Sequence, residues 1–517
     1  MDKKQSKLLR DCVVVTAFLE GVSVLVVEIA GARALAPFFG TTLTVWTSQI
    51  TATLLFLALG YGVGGLLSRR QRDASIVAVF CVAGAWLGLF PLMRSVILDA
   101  TGKSFGVAGG SFVSSCLLFG PPLLCMGAVS PLLIERLDRI RSGAGSAAGT
   151  LFFINTIGGL MGGWLTALWL IPNVSLRLAL SGVGAVLILI GIFWAVFLRV
   201  SRPWMPAAAL VLCAASIGLT WRSPTEIQVG DEVAKILYRS QSNVGLVQVL
   251  EYDKARVLLL DGVTQGGMFV ENGLSSFGST VYQSAIAHRF HPEAKSALLL
   301  GIGAGLVGKQ LVERGVQVTA IEVEQKVADV AREYFGFPES VRVIVEDGRT
   351  YLNRAEDKYD LVFLDAFAGE SIPWYLTTVE AMQRIRDVLN PGGRMVINTI
   401  TRSDSHSVGI QRLEAVLLEV FDEGKVFLNT LSSDLGLTGV TIVAGNQLVE
   451  HEGELPNRVP EKFARLLPVV YKSQRPAASV GRVGTDDWHD LDYADRDVRS
   501  VWRQNVLTAY SARSLED

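Results

Sequence analysis

Three glycines at alternate positions follow a short apolar run in the second half of the chain. Gly301, Gly303 and Gly305 come directly after Leu298–Leu300 and before a helix-forming run. The pattern predicts a strand, a tight turn and a helix, and such a turn lets a ligand approach bare backbone. A second apolar run ends at Glu322, where an acidic side chain could hold a pair of ribose hydroxyls. The glycines alone fit an ordinary strand-to-helix turn equally well, and the acidic residue favours a nucleoside site.

Two more acidic residues follow apolar runs further along the chain. Asp347, with Gly348 after it, follows "VRVIVE", and Asp365 follows "YDLVFL". The carboxyl ends of parallel strands meet at one edge of a sheet, so these residues and Glu322 are expected to ring one crevice. Three such carboxylates after a glycine loop favour a ligand site over solvated loop charges.

The elements that must position these residues are predicted from hydrophobic periodicity. Alternating apolar and amphipathic segments predict a mostly parallel sheet with helices on both faces. Before it, the runs from about Gln228 to Gly262 alternate with a period of two and predict a small antiparallel β-domain. The predicted strands are 298–300, 316–321, 341–345, 360–364 and 394–399, and the predicted helices are 305–314, 324–335 and 377–389.

The chain changes character near residue 222. Before that point, seven apolar stretches have the roughly 20 residues that a bilayer span needs. We therefore predict a multi-span α-helical membrane domain at 1–221, with the lipid bilayer as a partner. It precedes the β-domain at 222–270, an α/β Rossmann-like core at 271–450 and an acidic extension at 451–517. The seven stretches are 12–35, 45–68, 75–98, 108–134, 146–172, 178–199 and 204–221.

The distribution of basic residues predicts the orientation of these spans. Lysine and arginine cluster in the amino-terminal tail and after the second, fourth and sixth stretches, which favours a cytoplasmic tail. A complete seventh span would then place the second half outside, whereas an interfacial segment at 204–221 would keep it in the cytoplasm. The sequence leaves both arrangements open.

Two features inside the apolar stretches concern packing and charge. The pairs Gly60/Gly64 and Gly158/Gly162 have small-xxx-small spacing, which favours packing within one bundle over a homodimer contact. Glu20 and Glu28 lie inside the first stretch, where an ionisable group is costly. Each is either a functional group or a structural carboxylate, which is paired with an arginine such as Arg33 or held by hydrogen bonds.

Composition excludes several classes of site. All five cysteines precede residue 222, so the second half holds no disulfide, thiol nucleophile or cysteine metal site. The five histidines have no metal-ligand spacing, and we expect no metal. A net charge of −2 and the lack of a basic patch with interleaved aromatics argue against a nucleic-acid partner.

Six segments of the second half resemble the spermidine synthases, the polyamine aminopropyltransferases. The segments "LLLDGVTQ", "YQSAIAH", "LLLGIGAG", "AIEVE", "EDGRTYL" and "YDLVFLDAF" have the order and spacing of that family, and the resemblance covers about Gln228 to Gly445. The whole chain is similar to membrane-fused bacterial relatives, which implies a multi-pass protein of the bacterial inner membrane.

This resemblance implies a fold, a donor and roles for particular residues. The fold would be an amino-terminal β-domain and a Rossmann-like methyltransferase-type core, and the donor would be decarboxylated S-adenosylmethionine. Glu322 would hold the ribose, Asp347 the adenine amino group, and Asp365 would deprotonate the attacking amine. The glycines and Gly348 would line the nucleoside. The candidate substrate-binding residues are Gln265, Glu271, Tyr282, His288, Glu370, Trp374 and Tyr375.

The chain departs from the family chiefly where an amine would bind. An aspartate of the glycine loop is replaced by Ala304, and the Asp-Glu pair after the first segment reads Val270-Glu271. The second aspartate of the catalytic loop is Ala368, and the His-Glu after the tyrosine reads Gln283-Ser284. Nucleoside-binding residues survive while amine-binding residues become fewer. Without an acidic group at residue 304, intact S-adenosylmethionine is also acceptable as donor.

Four functional interpretations therefore stay open. The leading one is transfer of an aminopropyl-type group to an amine with release of methylthioadenosine. The second is an enzyme that uses intact S-adenosylmethionine, as a methyltransferase or a sulfonium-cleaving enzyme. The third is a polyamine transporter or sensor with a nucleoside-binding domain, and the fourth is an inactive scaffold. In the acidic extension, Asp486 or Asp487 could close over the pocket, although a solvated tail is the more usual meaning of such a run.

Overall fold

The computed structural model describes residues 3–70, 72–139, 143–200, 204–220, 225–229, 232–367, 369–402, 408–429, 437–451, 469–472, 483–487, 489 and 496–509. The chain divides into two compact units. The first is formed mainly by residues 1–224, and the second by residues 225–239 and 246–509.

The first unit is helical. Five of its helical segments are long and apolar enough to cross a membrane, and two more, α3 and α8 below, are apolar but shorter. The helix α8 has 17 residues, or about 25 Å at 1.5 Å per residue, against about 30 Å for a hydrocarbon core. The helices are α1 (Lys3–Phe39), α2 (Leu43–Arg69), α3 (Asp73–Gly88), α4 (Phe90–Asp138), α5 (Ala144–Leu165), α6 (Ile171–Asn173, joined to α5 by the π-helical turn Thr166–Leu170), α7 (Leu176–Phe197) and α8 (Trp204–Thr220).

The prediction of one span at 75–98 is wrong. The helix α3 ends at Gly88, and α4 begins at Phe90. Pro91 lies in the first turn of α4, where a missing N–H costs nothing and the fixed φ suits a helix start. The helix α4 then kinks at Gly106, whose φ is +66°, and runs on through the stretch predicted at 108–134.

Glycines bring the helices of the first unit into close contact. A Cβ on Gly60 or Gly64 would come within 2.3 and 2.5 Å of carbonyl oxygens of α4. A Cβ on Gly158 or Gly162 would come within 2.2 and 2.6 Å of carbonyl oxygens of α1. Both predicted pairs therefore pack within one bundle, where a side chain would force the helices apart.

Glu20 is buried in the first unit, with 3% of its surface exposed. Its carboxylate accepts a hydrogen bond from the side-chain amide of Asn155 on α5. This contact agrees with the structural alternative, with an asparagine as the partner.

The second unit contains two sheets. The first is a five-stranded antiparallel sheet in the order β1-β2-β3-β4-β5, which confirms the predicted β-domain. The second has eight strands in the order β13-β11-β12-β10-β9-β6-β7-β8. The strands are β1 (Glu226–Val229), β2 (Glu232–Ser242), β3 (Gly245–Tyr252), β4 (Ala255–Leu260), β5 (Val263–Phe269), β6 (Ser296–Leu300), β7 (Gln317–Glu322), β8 (Arg342–Val345), β9 (Tyr359–Leu364), β10 (Leu389–Arg402), β11 (Glu423–Asn429), β12 (Leu437–Gly445) and β13 (Val469–Lys472).

The eight-stranded sheet is doubly wound. Strands β8, β7, β6, β9 and β10 are parallel, and β12, β11 and β13 add antiparallel strands at one edge. The chain runs outward in one direction from β6 to β8 and in the other from β9 to β10. The β6–β9 pair is therefore the topological switch point, where such sheets bind ligands. The helices of this unit are α9 (Gly278–Phe290), α10 (Leu306–Glu313), α11 (Gln325–Phe335), α12 (Gly348–Arg354), α13 (Val379–Asp387), α14 (Val408–Leu418) and α15 (Arg496–Ala509).

Hydrophobic side chains cover both faces of this sheet. Leu298 and Leu300 of β6 belong to one buried cluster, and Ala297 and Leu299 belong to another. Alternate residues of one strand thus enter different cores, which explains why β6 is a continuous apolar run rather than an alternating one.

Candidate functional site

The glycine loop joins β6 to α10 at the switch point. Gly301, Gly303 and Gly305 have φ values of +96°, +52° and +74°, in the left-handed region that glycine tolerates best. A Cβ on Gly301 would lie 2.3 Å from the carbonyl oxygen of Asp365, and one on Gly305 would meet the ring of Phe337 at 2.6 Å. These two positions therefore require glycine for space as well as for backbone conformation.

The small β-sheet packs against the same loop. A Cβ on Gly303 would lie 3.2 Å from the carbonyl oxygen of Gln265 in β5, and the Cβ of Ala304 would lie 2.9 Å from a Cβ on Gly266. Ala304 is buried at this contact. The side-chain amide of Gln265 donates a long bond, 3.4 Å, to the carbonyl oxygen of Val263.

Glu322 is the last residue of β7, next to the glycine loop. Its carboxylate accepts hydrogen bonds from the backbone N–H groups of Ile302 at 3.1 Å and Glu324 at 3.2 Å. Burial raises the pKa of this carboxyl, and the backbone hydrogen bonds offset part of the rise. Two carboxylate oxygens offer about four acceptor positions, so capacity is left for ribose hydroxyls.

Asp347 follows β8 and caps α12, which begins at Gly348. Its carboxylate accepts from the backbone N–H of Thr350 at 3.0 Å, as an N-cap does. The hydroxyl of Tyr375 donates to its other oxygen at 3.0 Å. Burial and then the charge of Asp347 raise the pKa of Tyr375 to about 12, so the tyrosine stays a donor.

Asp365 is the first residue after β9 and lies beside Gly301, since its N–H donates to the carbonyl oxygen of Leu300 at 3.0 Å. One carboxylate oxygen accepts from the Gln283 amide of α9 at 3.0 Å, and the other accepts from the Asn398 amide of β10 at 2.8 Å. Burial raises the pKa of the carboxyl, and these two bonds offset part of the rise. Two side chains thus hold the carboxylate, and its protonation state can change nearer to neutral pH than that of an exposed aspartate.

The two amides that hold Asp365 each leave an oxygen unpaired. The side-chain carbonyl oxygens of Gln283 and Asn398 are buried and have no hydrogen-bond partner among the described residues. Buried acceptors without a partner are uncommon in proteins. A water or a ligand N–H would satisfy either of them.

Sequence reasoning missed Asn398. It is the one strongly polar side chain in the run "MVIN" inside strand β10, which pairs with β9. The signal available in the sequence was an amide side chain within an apolar strand, next to the strand that precedes the predicted catalytic carboxylate.

Glu370 is buried, with 5% of its surface exposed, and forms an ion pair with Arg503 of α15. Arg503 has 2% exposure and also donates to the carbonyl oxygen of Asp261 at 2.9 Å. The ring of Trp502 meets that of Phe367 with centroids 6.4 Å apart. The carboxyl-terminal helix therefore holds the loop that begins at Asp365.

A second part of the predicted extension at 451–517 contacts residues on both sides of the site, among them Trp374 in the loop after β9. His489 stacks on Trp374 with ring centroids 3.9 Å apart and an angle of 8° between the planes. Asp486 pairs with Arg349 at 2.5 Å and accepts from the hydroxyl of Thr378 at 2.7 Å. Arg349 follows the Asp347 cap by two residues, so Asp486 braces the rim of the predicted nucleoside site.

Three other residues that were predicted to bind substrate have surroundings different from those of Asp365. Tyr282 is 3% exposed and belongs to a hydrophobic cluster, whereas its neighbour Gln283 reaches the carboxylate. His288, on the last turn of α9, is half-buried, and burial and the charge of Arg314 lower its pKa. Glu271 lies exposed in the turn after β5.

Together, these residues offer a nucleoside a backbone cradle and two carboxylates at neighbouring strand ends. They offer an amine one carboxylate of raised pKa, held by two side-chain amides. Such a site suits positioning and charge complementarity at a reacting cation, with proton removal by Asp365.

Comparison with known proteins agrees with this geometry. Residues 279–447 match the family model described as the Spermine/spermidine synthase domain. The chain contains a spermidine synthase-like domain. Over 206 residues this domain region is 32% identical to a probable polyamine aminopropyl transferase of Bifidobacterium longum. That alignment covers 39% of this chain and 44% of the relative, so the chain spans less than half of the relative's length.

Two further proteins are similar to this chain. An N-terminal histidine N-methyltransferase of Emericella nidulans is 23% identical over 502 residues, which cover 88% of this chain and 86% of that protein. The crystal structure of a spermidine synthase from Thermotoga maritima covers 47% of this chain and 94% of its own, at 19% identity and a TM-score of 0.34.

Proposed function

We propose that the protein is a membrane-anchored transferase that binds an adenosyl sulfonium donor and transfers an aminopropyl-type group to an amine. The observation that carries this proposal is the setting of Asp365. Its carboxylate has a raised pKa and is held by two amides, and its backbone carbonyl lies against Gly301 of the glycine loop at the switch point. A partly buried base beside a nucleoside cradle is what transfer from a nucleoside to an amine requires.

The proposed reaction is a nucleophilic displacement. The amine nitrogen forms a bond to the carbon next to the sulfonium, and the bond between that carbon and sulfur breaks. The sulfur leaves as the neutral thioether methylthioadenosine, and the proton of the amine passes to Asp365. Holding nitrogen, carbon and sulfur in line supplies much of the acceleration in such a reaction.

The donor is decarboxylated S-adenosylmethionine or S-adenosylmethionine, and it acts as a co-substrate. Glu322 would bind its ribose, and Asp347 with Gly348 would lie at its adenine. Both carboxylates already order backbone around the site through their hydrogen bonds. The donor would therefore meet a preorganised surface.

A methyltransferase that uses intact S-adenosylmethionine is the second candidate. Two observations favour it: the alignment over 88% of the chain with an N-methyltransferase, and the uncharged Ala304 in the glycine loop. An acidic side chain at that point would repel the carboxylate of the intact donor, and alanine does not.

Product analysis distinguishes the two candidates. The purified full-length protein in detergent is incubated with S-adenosylmethionine or its decarboxylated form, with and without an amine, and the products are identified by mass spectrometry. The proposal expects methylthioadenosine together with an enlarged amine, which gains an aminopropyl group from the decarboxylated donor or an aminocarboxypropyl group from the intact one. S-adenosylhomocysteine and a methylated acceptor would establish the second candidate and overturn the first.

A further inference from the structure

We infer that the acceptor side of this site is built for an amine with one cationic group, rather than for a diamine with two. This inference rests on the proposed function and adds the class of acceptor. It follows from the charges and hydrogen-bond partners of the acidic residues around Asp365.

Glu370 is the carboxylate that would serve a second ammonium, because it lies in the loop that Asp365 begins. In the structure its charge is already neutralised by the buried guanidinium of Arg503. Arg503 is itself held by the carbonyl oxygen of Asp261 at 2.9 Å. Freeing Glu370 for a substrate would leave a buried arginine without its partner, which is strongly unfavourable.

The other carboxylates near the strand ends are committed elsewhere. Glu322 accepts from two backbone N–H groups beside the glycine loop, and Asp347 caps a helix and accepts from Tyr375. Glu324 caps α11. Glu271 is exposed in the turn after β5. Among these carboxylates, Asp365 is thus the one held by two side-chain amides at the switch point.

The immediate surroundings of Asp365 match a single ammonium. A primary ammonium has three N–H donors. The carboxylate of Asp365 accepts from the amides of Gln283 and Asn398, whose own oxygens have no partner among the described residues, so this one carboxylate is the only charge in the cluster. A second ammonium on the same substrate would lose its water without gaining a carboxylate, and an unpaired buried charge is costly.

The test compares n-butylamine with putrescine, which have the same four-carbon chain and differ by one amino group. With decarboxylated S-adenosylmethionine and the full-length protein, we expect kcat/KM for butylamine to exceed that for putrescine by about tenfold or more, the factor that corresponds to roughly 1.4 kcal/mol. Equal use of the two amines, or a preference for putrescine, would overturn the inference and leave the proposed function standing. Failure of every amine to increase methylthioadenosine release would overturn both.

Two variants test the role of the ion pair. Arg503→Gln frees the charge of Glu370, so the ratio of the two kcat/KM values should shift towards putrescine. A loss of folding lowers both values in proportion and does not move this ratio. The matched double variant Arg503→Gln/Glu370→Gln removes both charges, and its ratio should return to the wild-type value. A ratio that is the same in all three proteins would contradict the assignment of Glu370.

Discussion

At the scale of single residues, Asp347 and Asp365 occupy equivalent strand ends in different surroundings. Asp347 accepts from a helix N-terminus and a tyrosine hydroxyl, whereas Asp365 accepts from two side-chain amides. The helix-capping role therefore belongs to Asp347. No described backbone N–H donates to the carboxylate of Asp365, which leaves it suited to proton transfer.

We predict that Asp365→Asn preserves nucleoside binding while turnover falls by about 10²–10⁴-fold, the usual contribution of a general base. Asp347→Asn should first weaken nucleoside binding, because it alters the cap of α12 as well as the binding oxygen. Methylthioadenosine affinity by calorimetry and turnover by product formation, measured on both variants, distinguish the roles. Turnover of Asp365→Asn at the wild-type rate would remove the base assignment.

The pKa of Asp365 predicts the acid limb of the pH profile. Only the deprotonated carboxylate can take a proton, so activity should rise with pH as Asp365 loses its proton. Because burial raises this pKa, the rise should occur above the pH at which an exposed aspartate ionises. The measurement is kcat against pH, and an acid limb at the ordinary aspartate value would contradict the burial of the catalytic carboxylate.

Glu322 yields a binding prediction. Glu322→Ala should weaken methylthioadenosine binding by more than about 1 kcal/mol, the usual scale for losing a charged hydrogen-bond acceptor. Glu322→Gln is the matched control, since it keeps the size and one acceptor oxygen and should lose less. Calorimetry on the solubilised protein measures both, and unchanged affinity in the alanine variant would eliminate the ribose assignment.

At the scale of elements, the carboxyl-terminal helix α15 determines the conformation of the loop after β9. We predict that Arg503→Ala destabilises the second unit by about 3–5 kcal/mol, because it leaves the buried charge of Glu370 unpaired. Thermal unfolding measures the loss. Arg503→Lys keeps the charge and should recover part of it. A melting temperature unchanged by the alanine substitution would show that the ion pair does not stabilise the loop.

Much of the α/β core was predictable because its strands are continuous apolar runs. The predicted strand at 316–321 is β7 at Gln317–Glu322, and the predicted helix at 324–335 is α11 at Gln325–Phe335. The glycine loop was predictable because its conformation demands glycine. The predicted strand end at Glu322 is likewise where the structure has it.

The partners of the site were not predictable in the same way. Gln283 and Asn398 meet Asp365 across 82 and 33 residues of sequence, and Arg503 meets Glu370 across 133. No local pattern records such contacts, since they arise only when the sheet and α15 pack. The edge strands β11 to β13 also escaped prediction because they follow the periodic part of the chain. The junction at Leu89 was missed because one apolar run crosses two helices.

At the scale of the whole molecule, the cellular location of the second unit stays a prediction. Adenosyl sulfonium compounds are made in the cytoplasm, so we expect the second unit there. All native cysteines precede residue 222, so after their replacement a Lys254→Cys change in the exposed β3–β4 turn provides a single reporter. An impermeant thiol reagent should label it only after cells are opened. Labelling in intact cells would place the unit outside.

The central claim is that this site transfers a group from an adenosyl sulfonium donor to an amine. The most direct measurement is the initial rate of methylthioadenosine formation from decarboxylated S-adenosylmethionine by the full-length protein, with and without n-butylamine. We expect release that depends on the amine, with one enlarged amine formed for each methylthioadenosine, and we expect this release to be lost in Asp365→Asn. Release at the same rate without any amine, or the absence of release with butylamine and putrescine alike, would contradict it.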